Sequence, residues 1–176
     1  MSGTDNPHAI DNVYFAESGY DIMAFYQANR QRLDSVHSVF VSLGGTFSNE
    51  QVKGIMNYYG EARAVDCFDN DLAGRIYGIR MAALLEGLPL NIHKTESEVR
   101  MQVGGNSFVL PPDEVSVSEL GKHVSLRYKV GQWKAAPVFK DWNDQILNKP
   151  IEVEPVNNKF MRDRKLAEDR EKGVVR

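Results

Sequence analysis

The stretch Val65-Asp66-Cys67-Phe68-Asp69-Asn70-Asp71-Leu72-Ala73-Gly74-Arg75 decides how the rest of the chain is read. A short apolar run, Ala64 to Phe68, ends in two carboxylates one residue apart, and a helical pattern starts at once. Residues i and i+2 of a strand point the same way, so Asp69 and Asp71 can converge where the strand stops. Two hard oxygen donors at a strand-to-helix turn suit Mg2+, which binds through a few carboxylates and keeps waters for a phosphate. The same residues also suit a plain turn, with Asp69 and Asn70 in it and Asp71 as the helix N-cap. Both readings stand on this stretch alone.

Upstream, the same unit recurs twice. Val13-Tyr14-Phe15-Ala16 reads as a buried strand running into Glu17-Ser18-Gly19, and Tyr20 to about Arg32 reads as a helix packed on a sheet. Val39–Leu43 is a second strand, Gly44-Gly45-Thr46 a turn, and Ser48 with Gln51 a capping box opening a helix with Val52, Ile55, Met56 and Tyr59 on its apolar face. In the third unit the helix runs from Leu72 to about Glu86, with Leu72, Ile76, Ile79 and Ala83 as one stripe. Gly60 and Gly87 fit helix C-termini. Three strand–turn–helix units in succession predict an α/β fold with a mostly parallel sheet and right-handed crossovers. Function in such sheets gathers at the C-terminal strand ends, which here carry Glu17, Gly44-Gly45 and Asp69/Asp71.

Downstream the pattern changes. Val99, Met101 and Val103 alternate, Gly104-Gly105-Asn106 turns and Phe108–Leu110 returns, as in a hairpin; Val124, Leu126, Tyr128 and Val130 alternate again. Residues 94–137 therefore read as a small β-rich insertion within a domain spanning residues 12–150. Lys140-Asp141-Trp142-Asn143-Asp144 opens a short helix, and 151–176 is a charged tail with a helical stretch near Phe160–Arg170.

The bulk composition narrows the field. The chain has 176 residues, 42% hydrophobic and 26% charged, which suits one soluble domain with a sizeable core. A net charge of -3 provides no global basic field, so contact with nucleic acid has to be local. Cys67 is the single cysteine, which excludes an intrachain disulfide framework or a cysteine zinc site and reads as a small buried residue. No apolar run has the length of a membrane span and no signal-peptide core is present, so a cytoplasmic protein without membrane contact is expected. No strand is followed by the G-x-G-x-x-G fingerprint of dinucleotide-binding folds. A haloacid-dehalogenase fold puts its acidic pair on the first strand rather than the third, and a phosphoreceiver, which needs an acceptor aspartate and a late lysine around a single strand-end cluster, fits less well.

An acidic residue after strand one, a Gly-rich turn after strand two and a D-x-D pair after strand three make an ordered set. It resembles the TOPRIM domain shared by bacterial primases, type IA and II topoisomerases and several nucleases, and is most similar to the primase-like branch of plasmids, phages and conjugative elements. Phe15–Ala24 resembles that branch's strand, glutamate and helix entry; Ser42–Thr46 with Ser48–Gln51 its Gly-Thr turn and helix; Cys67–Arg75 its aspartate pair with trailing Ala-Gly; Lys140–Asp144 its closing Lys-Asp motif. The resemblance covers residues 12–93 and 138–148.

It implies a Rossmann-like TOPRIM fold of about four mostly parallel strands flanked by helices. It also implies roles: Asp69 and Asp71 hold Mg2+ (Mn2+ as a substitute) with Glu17 close by, as metal ligand or as general acid/base. Gly44 and Gly45 let the backbone approach a phosphate or the metal closely. The implied chemistry is phosphoryl transfer on DNA or RNA/DNA with nucleotides as co-substrates, in primer synthesis or, alternatively, in phosphodiester cleavage. A third reading is a non-catalytic module that binds nucleic acid or a partner protein. Residues 1–11 read as a truncated start, which makes the chain part of a longer protein whose other domains, or a helicase or relaxase, are its expected partners.

Each remaining candidate has an ordinary alternative. Asp21 is a further acidic neighbour or a helix N-terminal carboxylate; Asp141 and Asp144 are a capped helix start more than ligands. Arg75, Arg80 and Lys140 face a nucleic-acid backbone, or are a solvated helix face and an ion-pair partner. Trp133 and Trp142 are core or insertion anchors before they are base-stacking platforms. His37 and His93 stand alone, and Tyr58, Tyr59 and Tyr77 read as packing rather than as a nucleophile.

Overall fold

In a computed structural model, residues 6–128 and 130–151 are described. The charged tail, with its expected helical stretch near Phe160–Arg170, lies outside them. After a 3-10 turn at Pro7–Ala9 the chain forms β1 (Asn12–Ala16), α1 (Gly19–Asn29), β2 (Ser38–Ser42), α2 (Asn49–Tyr58), β3 (Arg63–Asp66) and α3 (Leu72–Leu85). Then follow β4 (Leu90–Lys94), β5 (Val99–Val103), β6 (Asn106–Leu110), α4 (Val117–His123), β7 (Gly131–Gln132) and α5 (Trp142–Ile146). The three expected strand–helix units are present.

Four strands form one sheet in the order β2-β1-β3-β7, and all its pairings are parallel. Because β1 is central, the chain moves one way to reach β2 and back past β1 to reach β3. Right-handed crossovers then place α1 on one face and α2 and α3 on the other. Burial shows the split: Val13 and Phe15 of β1 join Val52, Met56, Phe68 and Met81 in one cluster. Tyr14 and Ala16 join Ile22, Phe25, Val65, Cys67 and Trp142 in another. Cys67 is fully buried, as a small core residue. In the second cluster Tyr14, Phe25, Phe40, Trp133 and Trp142 form a connected set of rings, so both tryptophans are packing anchors.

The second sheet is antiparallel, β4-β5-β6, with Leu90 opposite Val103 and Val103 opposite Asn106. It packs on the far side of α3. The stripe picked out by helical spacing, Leu72, Ile76, Ile79 and Ala83, faces this sheet together with Val99, Met101 and Val103. The opposite side of α3 approaches β3 through Gly78, at Asp66, and the turn after β3 through Gly74, at Asp69. α3 is thus buried between two sheets.

Two parts of the 94–137 stretch differ from expectation. The alternation Val124-Leu126-Tyr128-Val130 makes no strand. Ser116 caps α4, and the chain beyond it runs irregularly: the Tyr128 amide donates to a Glu86 carboxylate oxygen instead of a neighbouring strand. Alternate residues still bury, Val124 most and Leu126 and Val130 in part, so the period reports a half-buried extended chain rather than pairing. Gly131–Gln132 then returns to the parallel sheet as its edge strand.

Candidate functional site

Sheet order dictates where the acids meet. With β2 and β3 on opposite sides of β1, the crossovers diverge between the C-terminal ends of β1 and β3, the position at which such sheets place their ligand sites. Glu17 directly follows β1. Beyond β3 the ladder continues for one rung, Cys67 amide to Phe15 carbonyl at 2.9 Å, which carries Asp69 to the same level. Glu17, Asp69 and Asp71 offer carboxylate oxygens that lie within 4.8 Å of one another. Oxygens sharing one octahedral Mg2+ at about 2.1 Å stand roughly 3–4 Å apart, so a small closure of the side chains completes such a set. Asp21, Asp69 and Asp141 form a second cluster with Asp69 in common.

The cluster is electrostatically loaded. Asp69 is only 8% exposed, and burial, then Glu17 and Asp21, push its carboxyl up to about 7. Burial also raises Glu17, with Asp71 and Asp21 adding to it and the Asp69 backbone amide opposing. Glu17 Oε1 is buried and has no hydrogen-bond partner among the described residues. A buried acceptor without a donor is costly, and a cation between these carboxylates would satisfy it. The donor set, all hard oxygen, fits a divalent ion of the Mg2+ class.

Lys140 supplies the nearest positive charge. Its ammonium lies 3.5 Å from Asp69 Oδ2 and 3.6 Å from Asp71 Oδ2. Burial lowers the affinity of Lys140 for its proton, but Asp69 and Asp71 outweigh it and the net shift is upward. The lysine is placed by Asn70. The Asn70 amide donates to the Lys140 carbonyl at 2.7 Å, and its Nδ2 donates to the carbonyls of Ala135 (3.1 Å) and Phe139 (2.8 Å). Asn70 thereby ties the segment 135–140 across the mouth of the carboxylate cluster.

Helix α3 is drawn against this turn by two glycines. A Cβ on Gly74 would lie 2.3 Å from the Asp69 carbonyl oxygen, and one on Gly78 would lie 2.5 Å from Asp66 Oδ2. Asp71 caps α3, accepting from the Gly74 amide at 2.9 Å through Oδ1, while its Oδ2 faces Lys140. The two readings of the acidic pair are therefore compatible: one oxygen caps the helix and the other remains available.

The other expected residues fall out as follows. Gly44 and Gly45 take positive φ, 72° and 101°, and the Gly45 amide donates to the Glu17 carbonyl at 2.8 Å. The turn thus braces the Glu17 backbone, and the Gly45 amide is committed there. Ser48 caps α2, but Gln51 sends its side chain to the Leu43 carbonyl at 3.5 Å instead of back to the cap. Asp141 caps α5 through the Asp144 amide at 2.7 Å. Asp21 is held by Ser18. Arg75 is not on a solvated face: it is partly buried and donates to the Pro112 carbonyl at 2.9 Å. Arg80 packs over the Phe47 ring, 4.6 Å from its centroid. His37 pairs with exposed Asp34 at 2.8 Å.

Three contributors were not singled out from the sequence. Asn70 stands between the two aspartates, and its position was the available signal. Gly74 was visible only as part of the trailing Ala-Gly. Lys134, which pairs with the fully buried Asp66 at 2.6 Å, has no local signature because its partner is far away in sequence.

Residues 14–100 match the family model described as Toprim-like, so the stretch carrying Glu17, Gly44-Gly45, Asp69 and Asp71 is a Toprim-like domain. Such a domain implies metal-dependent processing of nucleic acid, and the acidic cluster is the place in it where a divalent ion fits. No curated protein and no solved structure gives a significant match. Among the described residues no helix is long and apolar enough to cross a membrane.

Proposed function

We propose that this Toprim-like domain performs primase-like nucleotidyl transfer on a DNA template, with Glu17, Asp69 and Asp71 as the catalytic and metal-holding residues. The observation that carries the proposal is the convergence of these three carboxylates with a buried, unpartnered oxygen on Glu17. Mg2+ or Mn2+ bound there would neutralise charge developing on the phosphate oxygens.

The chain's own residues supply position and proton handling. Glu17, raised by burial, is suited to exchange a proton with the oxygen that attacks or leaves phosphorus. The close approach of Gly74 seats helix α3 directly on the Asp69 backbone. Lys140, on a segment pinned by Asn70, presents its ammonium beside the carboxylates, where a phosphate oxygen would sit. Segment 135–140 and the Gly44-Gly45 turn border the cluster. DNA or RNA/DNA and nucleotides are the substrates in this reading. The wider assembly is a longer parent protein, a helicase or a relaxase, in a cytoplasmic replication system of a mobile element or phage.

The direct test incubates the protein with single-stranded DNA, nucleotides and Mg2+ or Mn2+. New primers made by wild type and lost in an Asp69→Asn/Asp71→Asn variant support the proposal. Shortened DNA without incorporation assigns the same site to a nuclease. Function retained in the double variant identifies a non-catalytic binding module.

A further inference from the structure

Asn70, next to the carboxylate cluster, also lines an open cavity of about 350 Å³, whose polar lining is Asn70, Arg75, Ser116, Gln132 and Lys134, with Val117, Ala135 and Pro137 as its apolar part. Its chemistry is one-sided. No carboxylate lines it among the described residues. Asp66, fully buried, is already engaged by Lys134 at 2.6 Å, by the Phe68 amide at 2.9 Å and by Gln132 Nε2 at 3.4 Å. Donors, by contrast, are in surplus. The Lys134 ammonium has three N–H groups, of which two go to Asp66 and the Phe68 carbonyl. Of the Arg75 guanidinium only Nη2 has a partner, the Pro112 carbonyl, and Nε is buried with none among the described residues. Ser116 accepts from the Glu119 amide at 3.1 Å through an oxygen whose own hydrogen is uncommitted.

A partly buried guanidinium with unspent donors and no counter-ion is an incomplete arrangement, since buried charges are paired or fully hydrogen-bonded. With Lys134 and Asp66 cancelling, the cavity keeps one net positive charge, the complement of one phosphodiester rather than of a triphosphate tail. Arg75 begins one helical turn after Asp71, its amide donating to the Asp71 carbonyl at 3.1 Å, so a group held here is a near neighbour of whatever the carboxylates hold.

We propose that this cavity is a second phosphate site, taking a phosphodiester of the nucleic-acid strand whose neighbouring phosphate is presented to Glu17, Asp69 and Asp71. The proposal rests on the phosphoryl-transfer reading only for the identity of the strand. Arg75 is the central ligand, with Lys134, Ser116 and Gln132 around it.

The test is fluorescence anisotropy of a labelled single-stranded oligonucleotide with the full chain, in Ca2+ and across a salt series, on wild type, Arg75→Gln and Ser116→Asp. Ser116→Asp places a carboxylate in the cavity, and aspartate can keep the N-cap bond from the Glu119 amide that opens α4. Both variants are expected to bind about 5–20-fold more weakly, and Arg75→Gln to flatten the slope of log K against log salt by about 0.7, the share of one single-strand phosphate contact. Mn2+ titrated onto the same variants is expected to bind as to wild type. Wild-type oligonucleotide binding by both variants overturns the proposal. So does weakening in Arg75→Gln alone, which would trace to the lost Pro112 contact, or a response confined to free nucleoside triphosphates. Absence of turnover in the primer assay bears on the catalytic reading and leaves these binding outcomes intact.

Discussion

Asp69 and Lys140 are an ion pair in which the ammonium, 3.5 Å from the carboxylate and 3.6 Å from that of Asp71, stands where a cation is most needed. In Lys140→Gln the acids lose a counter-ion and a metal loses a like-charged neighbour. Lys140 is half exposed, so solvent screens much of the effect. Mn2+ affinity is expected to rise about 3–10-fold while turnover falls, measured by metal titration and primer assay on the same preparation. A drop in Mn2+ affinity would show that Lys140 organises the carboxylates instead of competing for them.

Proton and metal compete at Asp69. Its carboxyl is raised to about 7, so below that pH a proton must leave before an ion binds. Metal affinity is expected to fall by up to about tenfold per pH unit between pH 7 and 5, and to level off above pH 8. Stability without metal runs the other way. The folded-state value lies above the ordinary 3.8, so the stabilising contribution is fully present below about pH 4 and is lost as pH rises towards 7. Denaturant melts in EDTA should show lower stability at pH 8 than at pH 5, and saturating Mg2+ should reverse the order.

Asp71 can be dissected by residue type. Asparagine caps helices about as well as aspartate, and alanine does not. Asp71→Asn is expected to keep the melting temperature within a few degrees and to lose at least tenfold in metal affinity. Asp71→Ala adds the loss of the cap, about 1 kcal/mol. Equal metal affinity in Asp71→Asn and wild type would leave Asp71 as a cap alone.

Gly74 permits the close seat of α3 on the acidic turn. The Cβ of alanine would stand 2.3 Å from the Asp69 carbonyl oxygen, a backbone atom that cannot swing aside. Gly74→Ala is expected to destabilise by about 1–3 kcal/mol despite alanine's better helix propensity, and to weaken metal binding by displacing Asp69. Thermal melts and Mn2+ titration read the two effects.

Asn70 acts through Lys140. Asn70→Ala removes the side-chain donor from the carbonyls of Ala135 and Phe139, at an expected cost of about 1–3 kcal/mol. With residues 135–139 loosened and only the backbone bond from residue 70 to the Lys140 carbonyl kept, the lysine should respond less to the acids. Lys140→Gln added to Asn70→Ala is then expected to change Mn2+ affinity far less than it does in wild type, as a double-mutant cycle would measure.

What the sequence reveals here depends on how local each signal is. The strand-to-helix units around Glu17, Gly44-Gly45 and Asp69/Asp71 are written in adjacent residues, and the parallel sheet follows from them. The caps at Ser48, Asp71 and Asp141 are equally local. Val124–Val130 misleads because alternation records burial on one side, which an unpaired segment beside α3 satisfies as well as a strand does. α4 lies in a seven-residue stretch with a single buried residue, Leu120, too little pattern to read. The clamp of Asn70 on residues 135–140 and the pairing of Lys134 with Asp66 join distant parts of the chain. Their partners become legible only once β7 is placed beside β3.

That separation has a consequence for the order of assembly. The hydrogen bonds from Asn70 span 65 and 69 residues, so the acidic turn leaves the ribosome well before the segment that carries Lys140. At about 5–20 residues per second the interval is several seconds, in which β1 to β3 can pair while their carboxylates still lack the lysine. The nascent domain thus passes through a stage at which added Mg2+ should speed its compaction, and that dependence should fade once residue 140 has emerged.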